Sequence, residues 1–124
     1  MLTYLDTHAV IWLCSGTIPL SARALGLIAK AELRISPAVL LELRFLREVG
    51  RLNPEPREWL EILRQDFDVA VCPLPFQRVV DAASDLGWTR DPFDRLIVAQ
   101  AKAGGGKLIT KDRTIHEHFR QAVW

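Results

Sequence analysis

The chain has almost no net charge: 16 Lys and Arg against 15 Asp and Glu leave +1. A domain that grips nucleic acid nonspecifically carries a strongly basic face, so a broad electrostatic hold on a polyanion is excluded and any nucleic-acid contact must be local. Cysteine is scarce. Cys14 and Cys72 both sit in apolar stretches, with no C-x-x-C and no histidine at metal spacing, which excludes a zinc site and a disulfide framework and fits a reducing, cytoplasmic setting. No apolar run approaches the roughly 20 residues of a spanning helix. The first residues lead straight into a strand without the basic and long apolar regions of a signal peptide, so no membrane association is expected. Recognisable nucleophile elbows and H-E-x-x-H are also missing, which leaves surface roles for His8, His116 and His118. Gly104-Gly105-Gly106 lacks phosphate-loop spacing and precedes a strand, so it reads as helix termination.

What is present is an ordinary globular composition, 49% hydrophobic and 25% charged over 124 residues. That suits one domain spanning residues 1–124. A strand over residues 2–5 leads into an apolar helix that stops near Ser15-Gly16, and Ser21 caps a second helix. Residues 33–36 form the next strand, and Pro37 opens a helix ended by Gly50. After an Asn53-Pro54-Glu55-Pro56 connector come a helix over 58–64, a strand over 69–72 and a helix from 76 to 86. Asp91-Pro92 opens a further helix running to about Ala103, followed by a strand over 108–110, a helix over 116–119 and a candidate edge strand over 122–124. Strands alternating with helices predict the α/β class, because parallel strands need crossovers of about a dozen residues.

Four acids stand at breaks in this pattern: Asp6, Glu42, Asp94 and Asp112. Asp6 and Asp112 follow strands, where an open parallel sheet gathers its ligands; each also reads as a helix N-cap. Glu42 lies inside a helix with Ala38, Val39, Phe45 and Leu46 at its three- and four-residue neighbours, so no basic partner is in helical reach. Such a carboxylate needs a cation from elsewhere or a raised pKa; a bridge to a distant Arg is the bland alternative. Asp91 before Pro92 reads mainly as a cap, whereas Asp94 heads a stripe continued by Ile97, Val98 and Ala101 that aims it at the sheet. Oxygen ligands of this kind suit Mg²⁺ or Mn²⁺. The four Trp residues read as core or dimer contacts, with base stacking a minority reading.

Tyr4-Leu5-Asp6-Thr7-His8, Ser36-Pro37-Ala38-Val39-Leu40-Leu41-Glu42-Leu43, the segment from Arg90 to Ala101 and Leu108-Ile109-Thr110-Lys111-Asp112 together resemble, in order and over nearly the whole chain, PIN-domain ribonucleases of the VapC toxin type. The resemblance implies a three-layer α/β/α sandwich with a central parallel sheet of about five strands. It implies hydrolysis of RNA phosphodiesters with one or two Mg²⁺ or Mn²⁺ ions held by Asp6, Glu42, Asp94 and Asp112, supported by Asp91, Thr7 and Thr110. Arg44, Arg90, Arg95, Lys111 and Arg113 are the candidate RNA contacts. A homodimer and a VapB-type antitoxin are the implied partners, with arrest of translation and growth as the outcome. Rival readings are a PIN nuclease of RNA processing outside toxin systems, a PIN-like module that binds RNA or a partner without cutting, and a phosphoacceptor receiver. The last is disfavoured because its acids belong after strands, whereas Glu42 is inside a helix.

Overall fold

A computed structural model describes every residue of the chain except Asn53, so that part of the expected connector lies outside the described residues. The first strand, β1 (Leu2–Leu5), is an apolar run with three of its four residues buried, as befits a strand covered on both faces. α1 (Thr7–Ser15) follows, ended by Gly16 in the left-handed region, and Ser21 caps α2 (Ala22–Lys30) by accepting from the Ala24 amide. β2 (Glu32–Ile35) leads into α3 (Pro37–Glu48), and α4 (Pro56–Phe67) leads into β3 (Ala70–Val71). α5 (Phe76–Ser84), α6 (Pro92–Gly104), β4 (Lys107–Ile109), α7 (Arg113–His118) and β5 (Ala122–Val123) complete the order.

The five strands form one sheet in the order β3-β2-β1-β4-β5, and every pairing is parallel. Together with the helices this is a three-layer α/β/α architecture. The chain builds outward from β1 through β2 to β3, then returns to add β4 on the other flank of β1. The direction of winding therefore reverses between β1 and β4, and the crevice beyond their carboxyl ends is where such sheets bind ligands. The register pairs Leu5 with Ile109, and the Asp6 amide donates to the Ile109 carbonyl oxygen at 3.1 Å. Asp6 and Thr110 thus leave neighbouring strands side by side.

Several bounds differ from expectation. β2 and β4 each end one residue earlier, because Ser36 turns to accept from the Ala38 amide as the α3 cap, and Thr110 turns its hydroxyl to Asp6. β3 has two residues rather than four, and α7 starts at Arg113 because Asp112 caps it. The glycine run is more than a stop signal. Gly105, at φ 72, is the left-handed cap, but a Cβ on Gly104 would run into the Tyr4 hydroxyl, and one on Gly106 would meet the Leu2 carbonyl oxygen at 2.9 Å and the Tyr4 ring at 3.0 Å. Two of the three glycines are there so that Tyr4 can lie against the chain; the Tyr4 hydroxyl meets Cys72 Sγ at 3.1 Å.

Candidate active site

Asp6 is the anchor. It caps α1, its Oδ1 accepting from the His8 amide at 2.8 Å, while its Oδ2 accepts from the buried Thr110 hydroxyl. Thr110 Oγ1 in turn accepts from the Asp112 amide at 3.1 Å, so one hydroxyl ties the β1 and β4 ends of the crevice together. Only 7% of Asp6 is exposed; burial pushes its carboxyl above the usual range, and the Thr110 and His8 hydrogen bonds oppose the rise.

Asp112 caps α7, accepting from the Ile115 amide at 2.9 Å. Asp91 caps α6, accepting from the Phe93 and Asp94 amides at 2.9 and 3.2 Å. Both caps use Oδ1 alone, and both residues line the cavity. Asp94 sits in the first turn of α6, half-buried. Burial, then repulsion from Asp91, Asp112, Asp6 and Glu42, pushes it up to about 7. Glu42 extends from α3 and is half-buried, with its carboxyl raised chiefly by burial and also by Asp6 and Asp91. The buried Thr7 hydroxyl closes no well-formed hydrogen bond, yet it opposes the rise more than either acid adds to it.

Asp6, Glu42, Asp91, Asp94 and Asp112 line one cavity of about 410 Å³ with His8, Trp12 and Lys111. No ion pair reaches any of these acids among the described residues: Arg44 and Arg47 instead pair with Glu55, at 3.3 and 2.9 Å. The distant-Arg alternative for Glu42 is therefore not what the described residues hold. Arg95 Nε donates to the Ala83 carbonyl oxygen at 2.8 Å and so ties α6 to the end of α5. Arg90 and Arg113 are exposed outside the cavity wall.

The donor set is all oxygen, the chemistry that hard divalent cations require. Among the described residues no three His, Cys, Asp or Glu side chains converge tightly enough to chelate an ion as they stand. Like charges hold such acids apart, and a cavity of this width leaves room for the waters that Mg²⁺ retains. The residues fit a hydrated divalent cation rather than a closed cage.

Two cavity residues, His8 and Trp12, carry more than the sequence suggested. His8 is exposed, but the surface it occupies is the cavity wall. Its ring lies 5.7 Å from that of Trp12, which meets Trp124 edge-on at 5.5 Å. The signal was there: His8 and Trp12 are four residues apart on the helix that Asp6 caps, hence on one face. Trp124 carried no local signal, because only the placement of β5 beside β4 brings it to the site. His116 also has a definite duty, its Nε2 donating to the Thr110 carbonyl oxygen at 2.7 Å.

Comparison with known proteins agrees with this arrangement. The profile of the PIN domain matches residues 3–120. Ribonuclease VapC22 of Mycobacterium tuberculosis is 32% identical over 118 residues, covering 92% of this chain and 89% of its own. Among solved structures, VapBC2 from Rickettsia felis bound to a promoter DNA fragment superposes with a TM-score of 0.66 at 16% identity, covering 100% of this chain and 98% of that one. VapBC-1 from nontypeable Haemophilus influenzae gives 0.64 at 17% identity, covering 100% and 96%. At these identities the structures speak to the fold, and the receiver alternative is left without support. With the four motif segments in order, the sheet order they build and a profile match over almost its whole length, the chain belongs to the PIN domain family.

Proposed function

We propose that the chain is a divalent-metal-dependent ribonuclease, the toxin of a VapBC-type pair, and that Asp6, Glu42, Asp94 and Asp112 hold its Mg²⁺ or Mn²⁺ with Asp91 in support. The observation that carries this reading is the convergence of five carboxylates from α3, α6 and the ends of β1 and β4 on one crevice, with no ion pair to any of them among the described residues. The similarity to Ribonuclease VapC22 supplies the substrate class and the toxin role, and the likeness to two VapBC assemblies supports a VapB-type partner.

A bound divalent ion supplies a water of lowered pKa and neutralises charge on the phosphoryl oxygens. The chain's own residues prepare that chemistry. Thr110 and the His8 amide each hold one oxygen of Asp6, so the carboxylate keeps one orientation on the cavity wall. Asp94, raised to about 7, is partly protonated near neutrality, so a divalent ion held by it would release a fraction of a proton. Lys111 on the cavity wall offers an ammonium to an incoming phosphate. A homodimer is part of the same reading. Leu41 and Phe76, 61% and 70% exposed, wall an apolar groove between α3 and α5 of about 210 Å³, a surface suited to a second copy.

Expression of the chain alone in a bacterial host tests the proposal. Growth should arrest with loss of intact RNA, Asp94→Asn should grow normally at equal protein level, and the product of the adjacent gene should relieve the arrest. Arrest by the Asp94→Asn chain would overturn the reading. Metal-dependent cutting without any arrest would favour RNA processing outside a toxin pair.

A further inference from the structure

The acid cavity explains how a phosphodiester would be hydrolysed but not how a chain of net charge +1 holds a polyanion beside five carboxylates. At its edge lie two aromatic rings that the chemistry of the acids does not use. Trp12 from α1, Trp124 after β5 and Lys111 after β4 come from three separate parts of the chain and meet at one rim. The Lys111 ammonium lies 5.9 Å from the Trp12 ring and 5.8 Å from that of Trp124, within reach of both π faces. Both rings are half-buried rather than sealed in the core, and Trp12 and Lys111 line the same cavity as the acids. Stacking on an aromatic ring holds a base without net charge, and every base has a π face to offer.

We propose, building on the ribonuclease reading, that Trp12 and Trp124 form a stacking subsite for the nucleobase next to the scissile phosphate, with Lys111 as the positioning cation for the phosphate between. In the free protein Lys111 rests over the two rings; in the complex the base takes the ring face and the ammonium moves to the phosphate. Such a subsite accepts only an unpaired base, since the faces of a base in a duplex are already stacked. The substrate is therefore RNA whose cleavage point is single-stranded.

The test separates binding from cutting. In the Asp94→Asn chain with Mg²⁺ present, fluorescence anisotropy compares a labelled oligoadenylate with an abasic ribose-phosphate oligomer of the same length. The oligoadenylate should bind roughly tenfold more tightly; Trp12→Leu should erase the preference and Trp12→Phe should keep most of it. Lys111→Gln should weaken both oligomers alike. Rescue by Phe, with an unchanged melting curve, distinguishes a stacking ring from a merely space-filling one. Should Trp12→Leu not fold, the abasic comparison and Lys111→Gln decide. Equal affinity for the two oligomers, or no binding of either, overturns the subsite. The unaltered chain with Mg²⁺ supplies the second readout: oligoadenylate should inhibit its cutting of mixed RNA and the abasic oligomer should not. Cutting that neither oligomer inhibits sinks the subsite alone, whereas absence of cutting sinks the ribonuclease reading on which it rests.

Discussion

Thr110 shows how much one hydroxyl can carry. It donates to Asp6, accepts from the Asp112 amide and has no exposed surface. Thr110→Val keeps the shape but leaves a buried carboxylate oxygen and an amide unpaired, so it should destabilise the fold by roughly 1–3 kcal/mol, read as a shift in the urea midpoint. Loss of the orienting bond should also weaken metal binding by roughly 10–100-fold. Asp94 gives a pH dependence of definite sign. Its folded-state value, about 7, lies above the ordinary 3.8, so the folded chain holds this proton more tightly than the unfolded one. Its contribution is full below the unfolded value and is lost as pH rises through about 7. In EDTA, Asp94→Asn should therefore be more stable than the unaltered chain above neutrality, by roughly 1 kcal/mol after allowance for a half-exposed site. The difference should fall to less than half its size at about pH 5 and vanish only below the unfolded value of 3.8. Urea melts at the two pH values check it; a difference that grows on acidification would contradict the account.

Elements were legible where local chemistry decides them. Asp6, Ser21, Asp91 and Asp112 all cap helices in the structure, because a side-chain oxygen before a helical stretch satisfies an orphan amide wherever it occurs. The two-residue length of β3 was not legible: the apolar run over residues 69–72 says that the segment is buried, whereas pairing with β2 at only Arg34 and Ile35 says how much is strand. The glycine run misled for a related reason. Helix termination needs only one of the three, and the demand on the other two comes from Tyr4 on a strand far away in sequence. Gly106→Ala should cost roughly 1–3 kcal/mol, since backbone and a buried ring must both move. Gly26→Ala, with open space around its Cβ in α2, should be neutral or stabilise by up to roughly 1 kcal/mol. Thermal melts of the two variants should move in opposite directions.

At the scale of the whole molecule, the acids could be found in the sequence because each stands next to a recognisable element, but their meeting is a property of topology. Reversal of winding between β1 and β4 places Asp6 beside Thr110 and leaves a crevice that α3 and α6 wall with Glu42 and Asp94. The aromatic rim depends on β5, whose position no local pattern fixes. The apolar groove makes its own prediction at this scale: Phe76→Lys should turn a dimer into a monomer in sedimentation without changing the melting of the monomer by more than roughly 0.5 kcal/mol, as for an exposed site. A monomer before substitution would refute that groove as a dimer face. The central claim is that the crevice acids hold a divalent ion for RNA hydrolysis, and cutting of mixed cellular RNA by the purified chain tests it most directly. The account predicts cutting with Mg²⁺ or Mn²⁺, none in EDTA, and loss of cutting in both Asp6→Asn and Asp94→Asn. Cutting that survives EDTA, or that persists in folded Asp94→Asn protein, would contradict it.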